Sequence, residues 1–209
     1  MSAEIASRLS SYYRWHSRIY DSTRWTFLFG RGELIRRAAG TAPATILEVG
    51  CGTGRNLAEL GRVFPNAEIL GVDCSAEMLA IARRKTSSFG GRVSLIRGLY
   101  SEPLSRGGGF DLIVASYCLS MVNPGYEDVL RLCRADASPT GRIAIVDFHD
   151  TPSPWFRQWM SRNHVRLDGQ ILATLEKDNP LRPLHRRIHS AYGGLWQWFI
   201  WIGGARSGN

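Results

Sequence analysis

"ILEVGCGTGRN", Ile46 to Asn56, sets glycines at alternate positions, Gly50, Gly52 and Gly54, directly after an apolar run that carries one acid, Glu48. Glycine adopts positive φ without penalty and admits a ligand where a Cβ would stand, so a strand running into such a loop reads as a small-molecule cradle. Outward from it, as far as Phe148, strand-like and helix-like segments alternate. "TILEVG", "AEILGVD", "RVSLIRG", "FDLIVASY" and "GRIAIVDF" read as strands. "NLAELGRVF", "SAEMLAIARRK" and "YEDVLRLCRA" read as helices, the second opened by Ser75 as its N-cap. Near-continuous apolar strands between helices predict an α/β fold: a doubly wound, Rossmann-like sheet covered on both faces, with ligands outside the carboxyl ends of its strands.

The bulk properties narrow the function class. The chain has 209 residues, 44% of them hydrophobic, enough for one substantial core. Its formal charge of +8 favours anionic partners: nucleic acid, an acidic membrane face or anionic small molecules. Cys51, Cys74, Cys118 and Cys133 are far apart and have no histidine at zinc-ligand spacing, so neither a metal site nor a disulfide framework is indicated. The start, "MSAEIASRLSSYYRWHSR", lacks an apolar signal core and reads as cytoplasmic. No segment approaches the roughly 18 apolar residues that span a bilayer.

Two flanks surround the core. Residues 1–40 read as a helical lid, with Ile5, Leu9, Tyr12, Tyr13, His16 and Tyr20 on one stripe and arginines among the remainder, set apart from a core over 41–209. Near the C-terminus, Gly193 and Gly194 between apolar runs predict an antiparallel hairpin, giving about seven strands with the last one antiparallel.

The glycine spacing is not the G-x-G-x-x-G of dinucleotide folds, because the third glycine arrives one residue early. It resembles the first motif of class I S-adenosylmethionine-dependent methyltransferases. The resemblance implies that Glu48, Gly50, Cys51, Gly52 and Gly54 hold the amino-acid end of S-adenosyl-L-methionine. Asp73 ends the next strand, where a carboxylate can accept hydrogen bonds from both ribose hydroxyls, with Cys74 beside it. Met78 packs either on adenine or in the core. Leu99 and Tyr100 stand where many relatives have an acid for the adenine amine, and Glu102 is slightly late for that job. Ser116, Tyr117 and Leu119 fall at the mouth of the cleft.

Methyl transfer from a sulfonium is an in-line displacement that needs alignment and, for an amine acceptor, a neutral amine. The "NPPY" and "DPPY" motifs of many nucleic-acid base methyltransferases are absent, the matching position reading "ASYCLS", which argues against nucleic acid as partner. The flanks "YYRWHSRIYDSTRWTFLFGR", "SYCLSMV", "VDFHD", "NHVRLDGQIL" and "AYGGLWQWFIWIG" resemble the BtaB N-methyltransferases of bacterial betaine-lipid synthesis over nearly the whole chain. That resemblance implies trimethylation of the amine of diacylglyceryl-homoserine, at the inner face of an anionic membrane; whether the enzyme that makes the homoserine lipid is a bound partner is left open. By it, Tyr13, His16, Tyr20 and Asp21 form a lid, with a tyrosine hydroxyl reaching the cofactor carboxylate or the acceptor amine. Asp147, His149, Asn163, His164 and Arg166 line the acceptor pocket, a histidine such as His149 or His164 taking the amine proton and Arg166 pairing with the homoserine carboxylate. A basic, aromatic flank suits a bilayer surface, although aromatic stripes are also ordinary core. Alternatives are a phosphatidylethanolamine N-methyltransferase, an RNA methyltransferase and a non-catalytic cofactor-binding subunit of a lipid-synthesis complex.

Overall fold

The computed structural model describes residues 27–40, 42–105, 107–122, 124–177 and 181–204. Tyr13, His16, Tyr20 and Asp21 lie outside the described residues. Within these, seven strands form one sheet: β1 (Thr45–Val49), β2 (Glu68–Asp73), β3 (Val93–Arg97), β4 (Phe110–Ser116), β5 (Ala137–Phe148), β6 (Arg182–Ala191) and β7 (Trp196–Gly204). Their order is β3-β2-β1-β4-β5-β7-β6. The strands β1 to β5 pair in parallel, and β7 runs antiparallel to both β5 and β6. This is the expected doubly wound sheet closed by an antiparallel last strand.

Alternation along the strands explains why both faces are apolar. Ile46, Val114, Ala144 and Ile200 join one buried cluster, while Leu47, Ile113, Ile145 and Phe199 join the other. A strand buried on both sides has no polar face to show, which is why the sequence reads as near-continuous apolar runs. Helices cover the faces: α1 (Arg31–Ala38), α2 (Arg55–Val63), α3 (Ala76–Thr86), α4 (Tyr126–Asp136), α5 (Pro154–Arg162) and α6 (Gln170–Lys177). Two start on serine N-caps: Met78 N–H donates to Ser75 Oγ at 3.2 Å, and Phe156 N–H to Ser153 Oγ at 3.4 Å. Each cap satisfies a donor that the first helical turn leaves open.

Three features go beyond the sequence reading. The α1 segment, drawn as part of the lid, buries Leu34, Ile35 and Ala38 in the same cluster as Ile46 and Leu57. The fifth strand begins at Ala137, four residues before the "GRIAIVDF" run, and a register irregularity between Phe110 and Leu112 of its partner accommodates the extra length. Helix α6 was not distinguished in the sequence. Pro183 stands in the edge strand β6, where a missing N–H breaks no interior ladder.

Candidate active site

The strand order reverses between β1 and β4, so the loops leaving these two strands diverge and open a crevice. A cleft lies there, enclosing about 950 Å³ of space including its open mouth. Its walls come from the ends of three strands and the turns after four: Glu48–Thr53 with Arg55 and Asn56 at β1, Val72–Cys74 at β2, Gly98–Tyr100 after β3 and Ser116–Cys118 at β4. Arg31, Met121, Val122 and Val129 complete it.

The glycine loop is shaped for something outside the protein. Gly52 has φ of +52°, and a Cβ built on it would meet no protein atom within 4 Å. Gly50, at φ +67°, is different, since a Cβ there would stand 2.6 Å from Cys118 Cβ. One glycine therefore lets the loops after β1 and β4 close on each other, and the other leaves the cleft floor open. Gly52→Ala tests the second role. Forcing an L-residue into this conformation costs about 1–2 kcal/mol, a drop of roughly 2–8 °C in melting temperature. The added methyl enters ligand space, and S-adenosylhomocysteine affinity by calorimetry should fall by about tenfold or more.

Glu48 sits at the bottom, 2% exposed. Its Oε1 accepts from Asn56 Nδ2 at 2.9 Å, while Glu48 Oε2 and Asn56 Oδ1 are buried with no hydrogen-bond partner. Burial pushes the Glu48 carboxyl up to about 8, opposed by the Asn56 bond and the Arg31 charge. Two orphaned acceptors side by side call for a donor, best a cationic one, from a ligand. Asp73, at the end of β2, accepts Gly52 N–H through Oδ2 and Ser75 N–H through Oδ1, each at 2.9 Å. Burial raises its pKa, against the pull of those N–H groups. An ionised carboxylate has about four lone-pair sites, so both oxygens retain capacity toward a diol.

These residues fit S-adenosyl-L-methionine. Glu48 and Asn56 suit the ammonium, Asp73 the ribose, and the apolar wall of Val72, Leu99 and Val129 an adenine ring. When bound, the cofactor supplies an electrophilic methyl on sulfur. The protein supplies the cradle and the alignment.

Comparison with known proteins agrees. A family model described as a methyltransferase domain matches residues 46–141. The demethylmenaquinone methyltransferase of Thermus thermophilus is 30% identical over 156 residues, covering 75% of this chain and 68% of that protein. This chain belongs to the S-adenosylmethionine-dependent methyltransferases. The release factor glutamine methyltransferase of Geobacter sulfurreducens is 37% identical over 84 residues, 40% of this chain and 28% of the relative. With several of its curated relatives, then, the methyltransferase shares less than half of their length. Among solved structures, Burkholderia thailandensis 1,6-didemethyltoxoflavin-N1-methyltransferase, bound to 1,6-didemethyltoxoflavin and S-adenosylhomocysteine, superposes with a TM-score of 0.72 at 19% identity. It covers 98% of this chain and 91% of its own, and at that identity it shows the fold.

The methyltransferase brings most of the cofactor residues read from sequence to one cleft: Glu48, Gly50, Cys51, Gly52, Asp73, Cys74, Leu99, Tyr100, Ser116 and Tyr117 all line it. Gly54 sits behind the loop, where a Cβ would strike Ala82 at 2.8 Å. Met78 is 1% exposed and off the cleft wall, which decides between its two readings in favour of the core. The Tyr100 hydroxyl donates to Asp136 Oδ2 at 2.7 Å, so only its flank faces the cleft.

The acceptor residues are placed otherwise. Asp147 is fully buried and accepts Leu119 N–H at 2.9 Å and Ser120 N–H at 3.3 Å, behind the cleft wall rather than in it. His149 packs edge-on to Phe199 and against Gly169, and burial lowers its pKa. Asn163 caps Trp159 O through Nδ2, and Arg166 pairs with Asp168 while its N–H donates to Ser120 O. His164 adopts φ of +60° in the same turn. None of these five lines the cleft. A polar run after a strand resembles a pocket in one dimension; here it folds into a turn that braces the 119–121 segment from behind.

Arg31, Asn56 and Cys118 were not singled out in the sequence. Asn56 stood inside the quoted motif, one position after a conspicuous arginine. Arg31 carries no local signal, since only the packing of α1 delivers it to the cleft.

Proposed function

We propose that this methyltransferase N-methylates a lipid head group, converting the amine of diacylglyceryl-homoserine to the trimethylated betaine lipid. The observation that carries the reading is an aromatic patch beside the cleft. Trp155 is 65% exposed and Trp159 45%, one helical turn apart on α5, and Tyr192 is 57% exposed at the β6–β7 turn. Phe27 joins them, its ring centroid 6.3 Å from those of both Trp159 and Tyr192. The chain then runs from this patch through Phe29, whose carbonyl accepts the hydroxyl of the cleft residue Tyr117, to Arg31.

Large aromatics held outward in one patch seldom serve a monomer in water, and a ring with a polar N–H or O–H suits the boundary between head groups and acyl chains. Arg162 follows on the same helix, and the net charge of +8 favours anionic lipid. No helix among the described residues is long and apolar enough to cross a membrane, so the contact proposed is peripheral. The choice of acceptor is supported by the flanking segments read above as similar to the betaine-lipid enzymes. A second reading, methylation of a demethylated quinone, is favoured by the Thermus relative, whose similarity extends over three quarters of this chain.

Mass spectrometry separates them. The protein is incubated with S-adenosylmethionine and anionic vesicles carrying diacylglyceryl-homoserine, phosphatidylethanolamine or demethylmenaquinone. Gains of one to three methyl groups on the homoserine lipid are expected, and Trp155→Ala with Trp159→Ala should slow that reaction about tenfold with cofactor binding unchanged. Product only on another acceptor transfers the function to that acceptor. No product on any lipid, with S-adenosylhomocysteine still bound, would sink the lipid reading.

A further inference from the structure

The cleft floor is acidic, yet one cation enters it from outside the glycine motif. Arg31, the first residue of α1, is half-buried at the cleft wall with its guanidinium 5.6 Å from the Tyr117 ring centroid. Its position is fixed from three sides. Phe29 stacks on Trp196 at 5.8 Å and 16°. Gly30, at φ +78°, lies so close to Trp198 that a Cβ would fall 2.1 Å from the indole. The Tyr117 hydroxyl, 88 positions along the chain, donates to Phe29 O at 2.8 Å.

Tyr117 reaches that carbonyl from φ of +53°, a conformation a bulky non-glycine residue seldom adopts. Such strain persists where surrounding contacts impose it, and here those contacts all converge on the two residues before Arg31. The ligand the cleft fits is a zwitterion at its amino-acid end. Glu48 and Asn56 offer acceptors for the ammonium, and among the cleft acids that leaves the carboxylate in need of a cation. A guanidinium meets a carboxylate with two parallel N–H bonds, which an ammonium side chain cannot reproduce.

We propose that Arg31 holds the carboxylate of the cofactor's methionine portion, and that Tyr117 is a positioning residue acting on Arg31 through the Phe29 carbonyl. This holds whichever acceptor is methylated. It places a specificity determinant for the cofactor outside the matched domain, on a helix that the sequence assigns to the lid.

The test is calorimetric titration of the purified full chain with two ligands: S-adenosylhomocysteine and 5′-methylthioadenosine, which lacks the amino-acid end. Arg31→Gln should weaken the first by about 10- to 100-fold and leave the second unchanged. Arg31→Lys should recover part of the loss. Tyr117→Phe, which removes only the latch hydroxyl, should cost S-adenosylhomocysteine a smaller factor, about threefold to tenfold, and again spare methylthioadenosine. Retained S-adenosylhomocysteine affinity in Arg31→Gln overturns the proposal. Equal losses for both ligands in Arg31→Gln and Arg31→Lys overturn it too, because they assign Arg31 to the shape of the cleft.

Discussion

Glu48→Gln is expected to melt above the parent protein at pH 8 while binding S-adenosylhomocysteine about 10- to 100-fold more weakly. Both effects follow from one buried carboxyl. Burial is the main cause that pushes Glu48 from 4.5 up to about 8, with Asn56 pulling the other way. An acid whose folded pKa lies above its unfolded value binds a proton in the native state that the unfolded chain releases. Its contribution to stability is therefore largest at low pH and is lost as pH rises between the two values. Glutamine keeps an oxygen for Asn56 Nδ2 and has no charge to strand. The two proteins should melt together near pH 5, and the variant should gain steadily toward pH 8.

The binding half has its own pH signature. A cationic ligand group favours the ionised carboxylate, so S-adenosylhomocysteine binding by the parent releases a proton below pH 8, and affinity rises from pH 6 to pH 8. In Glu48→Gln that slope should vanish. Titrations in buffers of different ionisation enthalpy, beside thermal melts across the same range, measure both. A parent with pH-independent affinity and a variant that melts identically at pH 5 and pH 8 would remove Glu48 from the ammonium site.

What the sequence revealed and what it hid divide along the range of the interactions. The glycine spacing, the apolar runs and the Ser75 cap are local, and each follows from a few neighbouring residues; they located the sheet and the floor of the cleft. Asp73 was legible because strand length fixes where β2 ends. Arg31 was not, because its place depends on Tyr117 and on the Trp196–Trp198 segment, far along the chain. The resemblance placed Asp147 in the acceptor pocket, and the end of a strand is a place for ligands, but neither fixes which way a side chain turns, and Asp147 turns into the protein. Asn163 and Arg166, read for the same pocket, respectively donate to Trp159 O and pair with Asp168, and His164 shares their turn.

Asp147→Ala is accordingly expected to act on the fold first. The carboxylate is fully buried, its Oδ2 accepting from Leu119 and Ser120 N–H and its Oδ1 from Phe148 N–H at 2.8 Å. Burial raises it to about 6, with those N–H groups and Ser120 opposing, so near pH 7 it is largely ionised. Truncation strands the donors without water, at about 1–3 kcal/mol for each one left unsatisfied. A total of about 3–5 kcal/mol corresponds to roughly 6–20 °C in melting temperature for a chain of this size. Asp147→Asn should fall between, since its carbonyl can still take Leu119 and Ser120 while its amide confronts the Phe148 donor. The loosened 117–122 segment carries Tyr117, Cys118, Met121 and Val122 into the cleft, so cofactor affinity should fall along with stability. An acceptor-binding carboxylate would behave in the opposite way. It would leave the melting temperature and S-adenosylhomocysteine affinity in place and raise only the KM for the methyl acceptor, and that outcome would return Asp147 to the acceptor pocket where the sequence put it.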